Sequence, residues 1–161
     1  MAIVPTDVPM TPALAGQTID ALNEAYPFLG TERLATTAFG RPIDVLTIGT
    51  GKRQVLYSAA HHANEWLTAT VLLKFIEDYA EALQNDASIG GLNARELYQN
   101  STIHLVPMVN PDGVDLVTGA IQPGSLEYEI GRQLSANYPT IPFPDGWKAN
   151  LKGVDLNLQY P

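Results

Sequence analysis

Apolar and polar positions change their period several times along this chain, and each change marks an element. Thr11-Pro12 has the pattern of a helix N-cap followed by proline in the first turn. A helix from there to about Tyr26 would bury Leu14, Ile19, Leu22 and Tyr26, with Pro27 closing it. Residues 34–39 and 43–48 are two short β-rich runs separated by Gly40-Arg-Pro42, the pattern of a hairpin. Gly49-Thr-Gly51 makes the next turn, and residues 54–60 read as a third, buried strand. From Trp66 to Leu83 the period becomes helical, with Leu72, Phe75, Ile76, Tyr79 and Leu83 on one face and Lys74, Glu77, Asp78 and Glu81 elsewhere.

Residues 85–91 read as a loop, 94–98 as a short helix and 102–107 as a fourth strand. Asn110-Pro-Asp-Gly113 is a turn signal, because Pro fixes φ and Gly accepts positive φ. Leu126, Ile130 and Leu134 fall at helical spacing beyond a loop over 119–124. Pro139, Pro142 and Pro144 predict an extended surface segment over 138–146. Strands alternating with helices imply an α/β fold with helices packed against a sheet. The 161 residues amount to one domain.

Composition narrows the function. A formal charge of −8, with only 9 Lys and Arg and no basic run, argues against a nucleic-acid partner. No apolar run approaches a membrane span, and the first residues have neither a basic nor an apolar leader pattern, so the expectation is a cytoplasmic protein without a membrane partner. The chain has no cysteine, so a zinc site would have to use His, Asp and Glu.

Chemistry concentrates in two stretches. In Ser58-Ala-Ala-His-His-Ala-Asn-Glu-Trp66, His62 and Glu65 stand three apart where strand gives way to helix. There an imidazole nitrogen and a carboxylate oxygen can converge on one Zn²⁺. By itself the pair would more often be a hydrogen-bonded strand end than a metal site. His61 reads as its structural or pocket-lining neighbour, and His104, between Ile103 and Leu105, as a sheet-face residue. The second stretch is Trp147-Lys-Ala-Asn-Leu-Lys-Gly-Val-Asp-Leu-Asn157. Outside any wider pattern Lys148 would be a solvated surface lysine, Asp155 a turn residue and Asn157 a cap.

His-Ala-Asn-Glu-Trp, Asn-Pro-Asp-Gly and Gly-Val-Asp-Leu-Asn occur in that order, and the set resembles the zinc carboxypeptidase (funnelin) family. The wider matches are most similar to its bacterial γ-D-glutamyl-diaminopimelate endopeptidase branch. The resemblance implies a mixed β-sheet with helices on its faces, a Zn²⁺ cofactor and hydrolysis of a cell-wall-type peptide. It also implies roles: His62 and Glu65 as metal ligands, Asp155 as the carboxylate behind His62, Lys148 as the cation beside the scissile carbonyl, and Asn157 as a substrate-carboxylate contact. Many relatives carry arginine at the place of Lys148, and a lysine supplies the charge without the fork. True carboxypeptidases carry arginine at the place of Leu158, so this chain lacks their anchor for a free C-terminus. That departure favours an interior or side-chain-linked bond, such as γ-D-glutamyl-diaminopimelate in a peptidoglycan stem.

The implied reaction is metal-assisted hydrolysis, in which a glutamate takes the proton of the attacking water. The family's third ligand, a histidine, and that glutamate both fall after Pro161 by this register. The chain therefore reads as the N-terminal half of a truncated catalytic domain. Three alternatives follow: an inactive remnant that binds peptide, a homodimer or a complex with a complementing C-terminal half, and an N-acyl amino-acid deacylase of the aspartoacylase-like relatives, which share His-x-x-Glu.

Overall fold

Thr11 opens the first helix. Its hydroxyl accepts the Leu14 N–H, and Pro12 occupies the first turn, where no donor is needed, so α1 runs Pro12–Ala25. The computed structural model describes residues 2–160. Ahead of α1, the backbone N–H groups of Ile3 and Val4 donate to the buried Glu77 carboxylate, which fastens the N-terminal strap across the second long helix.

Four strands form the main sheet, in the order β1 (Gly30–Thr36), β2 (Pro42–Gly49), β6 (Ser101–Val106), β3 (Arg53–Ser58). β1 and β2 are the expected antiparallel hairpin. β1 begins earlier than the apolar run at 34–39 suggests. All seven of its residues are exposed, so pairing with β2 rather than burial sets its limits. β3 and β6 lie side by side and parallel, joined by a crossover that contains α2 (Leu67–Gln84) and α3 (Ala94–Asn100). β6 also pairs antiparallel with β2, which makes the sheet mixed. Register sets Leu46 opposite Leu105 and Ile48 opposite Ile103. These four side chains join Leu22 of α1, Leu73, Ile76 and Tyr79 of α2, and Ala94 of α3 in one buried apolar cluster. The other sheet face carries a polar row, in which Thr47 Oγ1 meets His104 Nδ1 at 3.1 Å and His104 Nε2 meets Gln54 Oε1 at 2.7 Å.

Several segments differ from their sequence reading. β3, expected to be buried, is an edge strand with five of its six residues exposed, because nothing pairs or packs beyond it among the described residues. Residues 85–91 do not stay a plain loop: β4 (Ser88–Ile89) and β5 (Leu92–Asn93) form a tight hairpin about Gly90 and Gly91, with φ 57° and 80°. Two successive glycines between apolar residues are the signal for such a turn. Asn110-Pro-Asp-Gly113 is not a turn between elements but the start of α4 (Pro111–Val117), with the Asn110 side chain accepting the Gly113 N–H.

α5 (Leu126–Ser135) follows, capped by Ser125. A second apolar cluster of Ala63, Leu116, Ile121, Trp147 and Leu151 lies beside α4 and α5. The segment 138–146 is a run of turns rather than extended chain, with Gly146 N–H bonded to Pro142 C=O at 2.7 Å. Its prolines bar regular pairing, but Phe143 is drawn inward against Tyr128 and Trp147 at ring distances of 5.3 and 6.2 Å. Arg41, in the β1–β2 turn, bridges to Asp112 and Asp115 of α4 and Glu127 of α5, which ties the hairpin to this second cluster. Among the described residues no helix is long and apolar enough to cross a membrane.

Candidate metal centre

Beyond β3 the chain stays paired for two more residues. Ala59 N–H donates to Val106 C=O, and the Ala59 and Ala60 carbonyls accept from Val109 and Asn110. Ala60 then turns the chain with φ at 49°, a left-handed conformation that strains a residue with a Cβ. It is held there by Thr68, whose Oγ1 accepts the Ala60 N–H at 2.9 Å and donates to Glu65 C=O at 2.7 Å. Between these anchors a short 3-10 turn, Ala63–Glu65, leads into α2.

This turn brings the His62 and Glu65 side chains together, Nδ1 to Oε1 at 3.0 Å. On the far side of the ring, Nε2 faces Asp155 Oδ1 at 3.2 Å. Asp155 is itself fixed as the cap of the 3-10 turn Leu156–Leu158, where the same oxygen accepts the Asn157 N–H. His62 is mostly covered (15% exposed), whereas Glu65 is 46% exposed, so the pair opens to solvent on the glutamate side.

Two carboxylates thus flank one imidazole. A neutral imidazole has one N–H and can donate to only one of them, leaving a lone pair aimed at the other carboxylate. With the N–H on Asp155, the Nδ1 lone pair and the Glu65 oxygen face each other, an opposition that a cation between them relieves. Two donors each about 2.0–2.1 Å from a shared Zn²⁺ must lie within about 4 Å of one another, which this pair satisfies. The donor set therefore fits zinc as far as it goes. Among the described residues no group of three or more His, Asp or Glu is arranged to hold a metal. His104 is occupied in the polar row of the sheet, and His61 Nε2 meets the Tyr160 hydroxyl at 2.9 Å. Burial, and then the neighbouring His62, push the His61 pKa down.

Lys148 lies in the loop after Trp147, and its carbonyl accepts the Ala63 N–H at 2.9 Å, so its backbone abuts the ligand turn. Its side chain is exposed, and no ion pair holds it among the described residues. Asn157 sits in the 3-10 turn capped by Asp155, also exposed. The structure thus gathers His62, Glu65 and Asp155 in direct contact, with Lys148 and Asn157 on the segments that adjoin them. Sequence reasoning missed Thr68 and Asn110. Asn110 could have been found, because Asn-Pro is the same cap-then-proline signal as Thr11-Pro12.

Known proteins share this arrangement of elements. The chain is 42% identical over 143 residues to gamma-D-glutamyl-L-diamino acid endopeptidase 1 of Lysinibacillus sphaericus, covering 89% of this chain and 35% of that protein. It is 37% identical over 146 residues to the uncharacterized protein YqgT of Bacillus subtilis (strain 168), covering 89% and 38%. The chain therefore spans little more than a third of the length of these curated relatives. In fold it is similar to bovine thrombin-activatable fibrinolysis inhibitor, with a TM-score of 0.60 at 16% identity over 90% of this chain and 38% of that one. Residues 16–161 match the zinc carboxypeptidase family model, and with that match over nearly the whole length the chain belongs to the zinc carboxypeptidase family.

Proposed function

We propose that this chain carries part of the metal centre of a zinc peptidase that hydrolyses γ-D-glutamyl–diamino acid bonds in cell-wall stem peptides. The observation that carries the reading is the His62 ring held between Glu65 and Asp155. In this reading His62 Nδ1 and Glu65 are the metal donors. Asp155 takes the Nε2–H, which fixes the tautomer and raises the basicity of the donor nitrogen. Bound Zn²⁺ would supply Lewis acidity toward a carbonyl and a water. Lys148, on the loop stapled to the ligand turn, offers a positive charge to the oxyanion that develops as the bond breaks. Asn157 offers an amide to the substrate's polar end. The bond type is inferred from the name of the Lysinibacillus relative and from Leu158, which is apolar where a carboxylate-binding cation would anchor a free C-terminus.

A complete centre needs a third donor and a general base from polypeptide outside these 161 residues, or from a second copy of the chain. A cytoplasmic location, expected from the sequence, is proposed with it. The contrary reading, a peptide-binding remnant without chemistry, draws on the same shortage of donors.

Zinc titration of the purified chain, followed by elemental analysis after dialysis, separates the two. Saturable binding is expected to disappear in His62→Ala and to weaken by roughly 10–100-fold in Asp155→Ala. Zinc uptake that is indifferent to both substitutions would end the metal-centre reading. Hydrolysis of a γ-D-glutamyl-diaminopimelate peptide by the full-length polypeptide, blocked by a chelator, tests the substrate.

A further inference from the structure

Asn110 is 1% exposed, and every polar atom it has is engaged. Its backbone N–H donates to Ala60 C=O at 3.0 Å, and its own carbonyl accepts from Val114. Its side-chain Oδ1 accepts the Gly113 N–H at 3.0 Å, the N-cap bond of α4. Its Nδ2 reaches two carbonyls from distant parts of the chain, His61 at 3.1 Å and Lys148 at 3.3 Å. The Lys148 carbonyl also accepts the Ala63 N–H, so Asn110, the ligand turn and the Lys148 loop close on one oxygen.

We infer that Asn110 is a positioning residue whose amide sets the spacing between the ligand turn bearing His62 and the loop bearing Lys148. The inference rests on the metal-centre reading for what is being positioned, but the clamp itself stands on the contacts just given. A cap alone would need only Oδ1. The two Nδ2 hydrogens tie α4 to both functional segments, beside the direct bond from Ala63 N–H to Lys148 C=O, and both fall within one residue of a proposed functional side chain.

The surrounding packing leaves no slack for another arrangement. A Cβ on Gly113 would come within 2.7 Å of Asn110 Nδ2 and 2.8 Å of both the Ala149 carbonyl and the Ala63 Cβ. Glycine at this place lets the start of α4, the ligand turn and the Lys148 loop meet backbone to backbone. Asn110 then converts that proximity into a defined offset, with one donor for each segment. Both donors are buried, so losing them leaves the His61 carbonyl without its partner and the Lys148 carbonyl with the Ala63 N–H alone.

Capping and clamping use different atoms, so they can be tested separately. Asn110→Asp and Asn110→Ser both keep an acceptor for the Gly113 N–H and lose the Nδ2 donors, the first with added charge and the second without. Amide hydrogen exchange on the full 161-residue chain reads the clamp at Ala63 and the cap at Gly113, with no metal present. Exchange at Ala63 is expected to quicken on the order of tenfold in both variants while Gly113 keeps its protection, and zinc affinity to fall about tenfold. Unchanged exchange at Ala63, equal loss at Ala63 and Gly113, or a loosened Ala63 with undiminished zinc affinity would each overturn the inference. If the wild-type chain takes up no zinc, two donors alone do not hold the metal, the affinity comparison is made in the full-length polypeptide, and the exchange comparison on the 161-residue chain still decides whether Asn110 clamps the two segments.

Discussion

Tyr79 shows how local chemistry and burial can disagree at a single residue. It lies fully buried in α2 beside Phe75, and among the described residues its hydroxyl has no hydrogen-bond partner. Burial, and secondarily the neighbouring Tyr98, push its pKa up to about 12 from an ordinary 10.0. The sign follows: the folded chain favours the neutral phenol, so its contribution to stability is complete below pH 10 and is lost as pH rises through about 12. Tyr79→Phe should remove that alkaline loss and, by deleting an unpaired buried hydroxyl, raise stability at neutral pH by about 1 kcal/mol. Urea unfolding at pH 7 and again above pH 10 checks both halves; a destabilised variant at pH 7 would point to an unseen partner for the hydroxyl. The apolar period made Tyr79 legible as core, but nothing in the sequence tells whether its oxygen is paired. The same limit holds at His62. Its proximity to Glu65 could be read from their spacing, since three residues across one turn bring side chains together. Asp155 stands 93 residues away and was placed by family resemblance, because no local rule carries a contact over that distance.

Capping chemistry carries most of the information at the scale of elements. Thr11-Pro12 and Asn110-Pro111 are the same device, a polar cap with proline next, and both start helices. Reading the second as a plain turn gave the following glycine too much weight. Gly113 has no positive φ to account for it; its role is the absence of a side chain where three segments converge. Gly113→Ala therefore forces a methyl into space already held by a carbonyl, an amide nitrogen and another methyl. Overpacking of this kind is expected to cost about 1–3 kcal/mol, readable as a lower denaturation midpoint with an unchanged slope. Alanine is a better helix former than glycine, by roughly 1 kcal/mol at an interior position, so propensity alone predicts the opposite sign. A stabilised Gly113→Ala would mean that the three segments can move apart freely, and the close junction around the ligand turn would no longer be a constraint on the site.

For the whole molecule, the alternation of strands and helices was enough for an α/β fold, but not for strand order. Order depends on which strand β6 inserts beside, and that is decided by side-chain packing across the sheet. The outcome leaves β3 at an edge, with five of its six residues exposed. Its unpaired N–H and C=O groups run beside Leu56, which is 66% exposed, and an open groove lined by Tyr57, Thr68, Val71 and Phe75. Such an edge pairs readily with another strand. A formal charge of −8 on each copy opposes self-association, and salt screens that repulsion while leaving backbone pairing and apolar contact intact. The chain should therefore associate more as its own concentration rises, and more at high ionic strength than at low. Sedimentation velocity across a concentration series at two salt levels reads this directly. Leu56→Lys places a charge on the edge without removing a backbone donor and should shift the distribution to monomer in both salts. If the wild-type chain sediments as a monomer throughout, or if Leu56→Lys associates just as the wild type does, β3 is not the sticking edge, and its exposed apolar residues need another account.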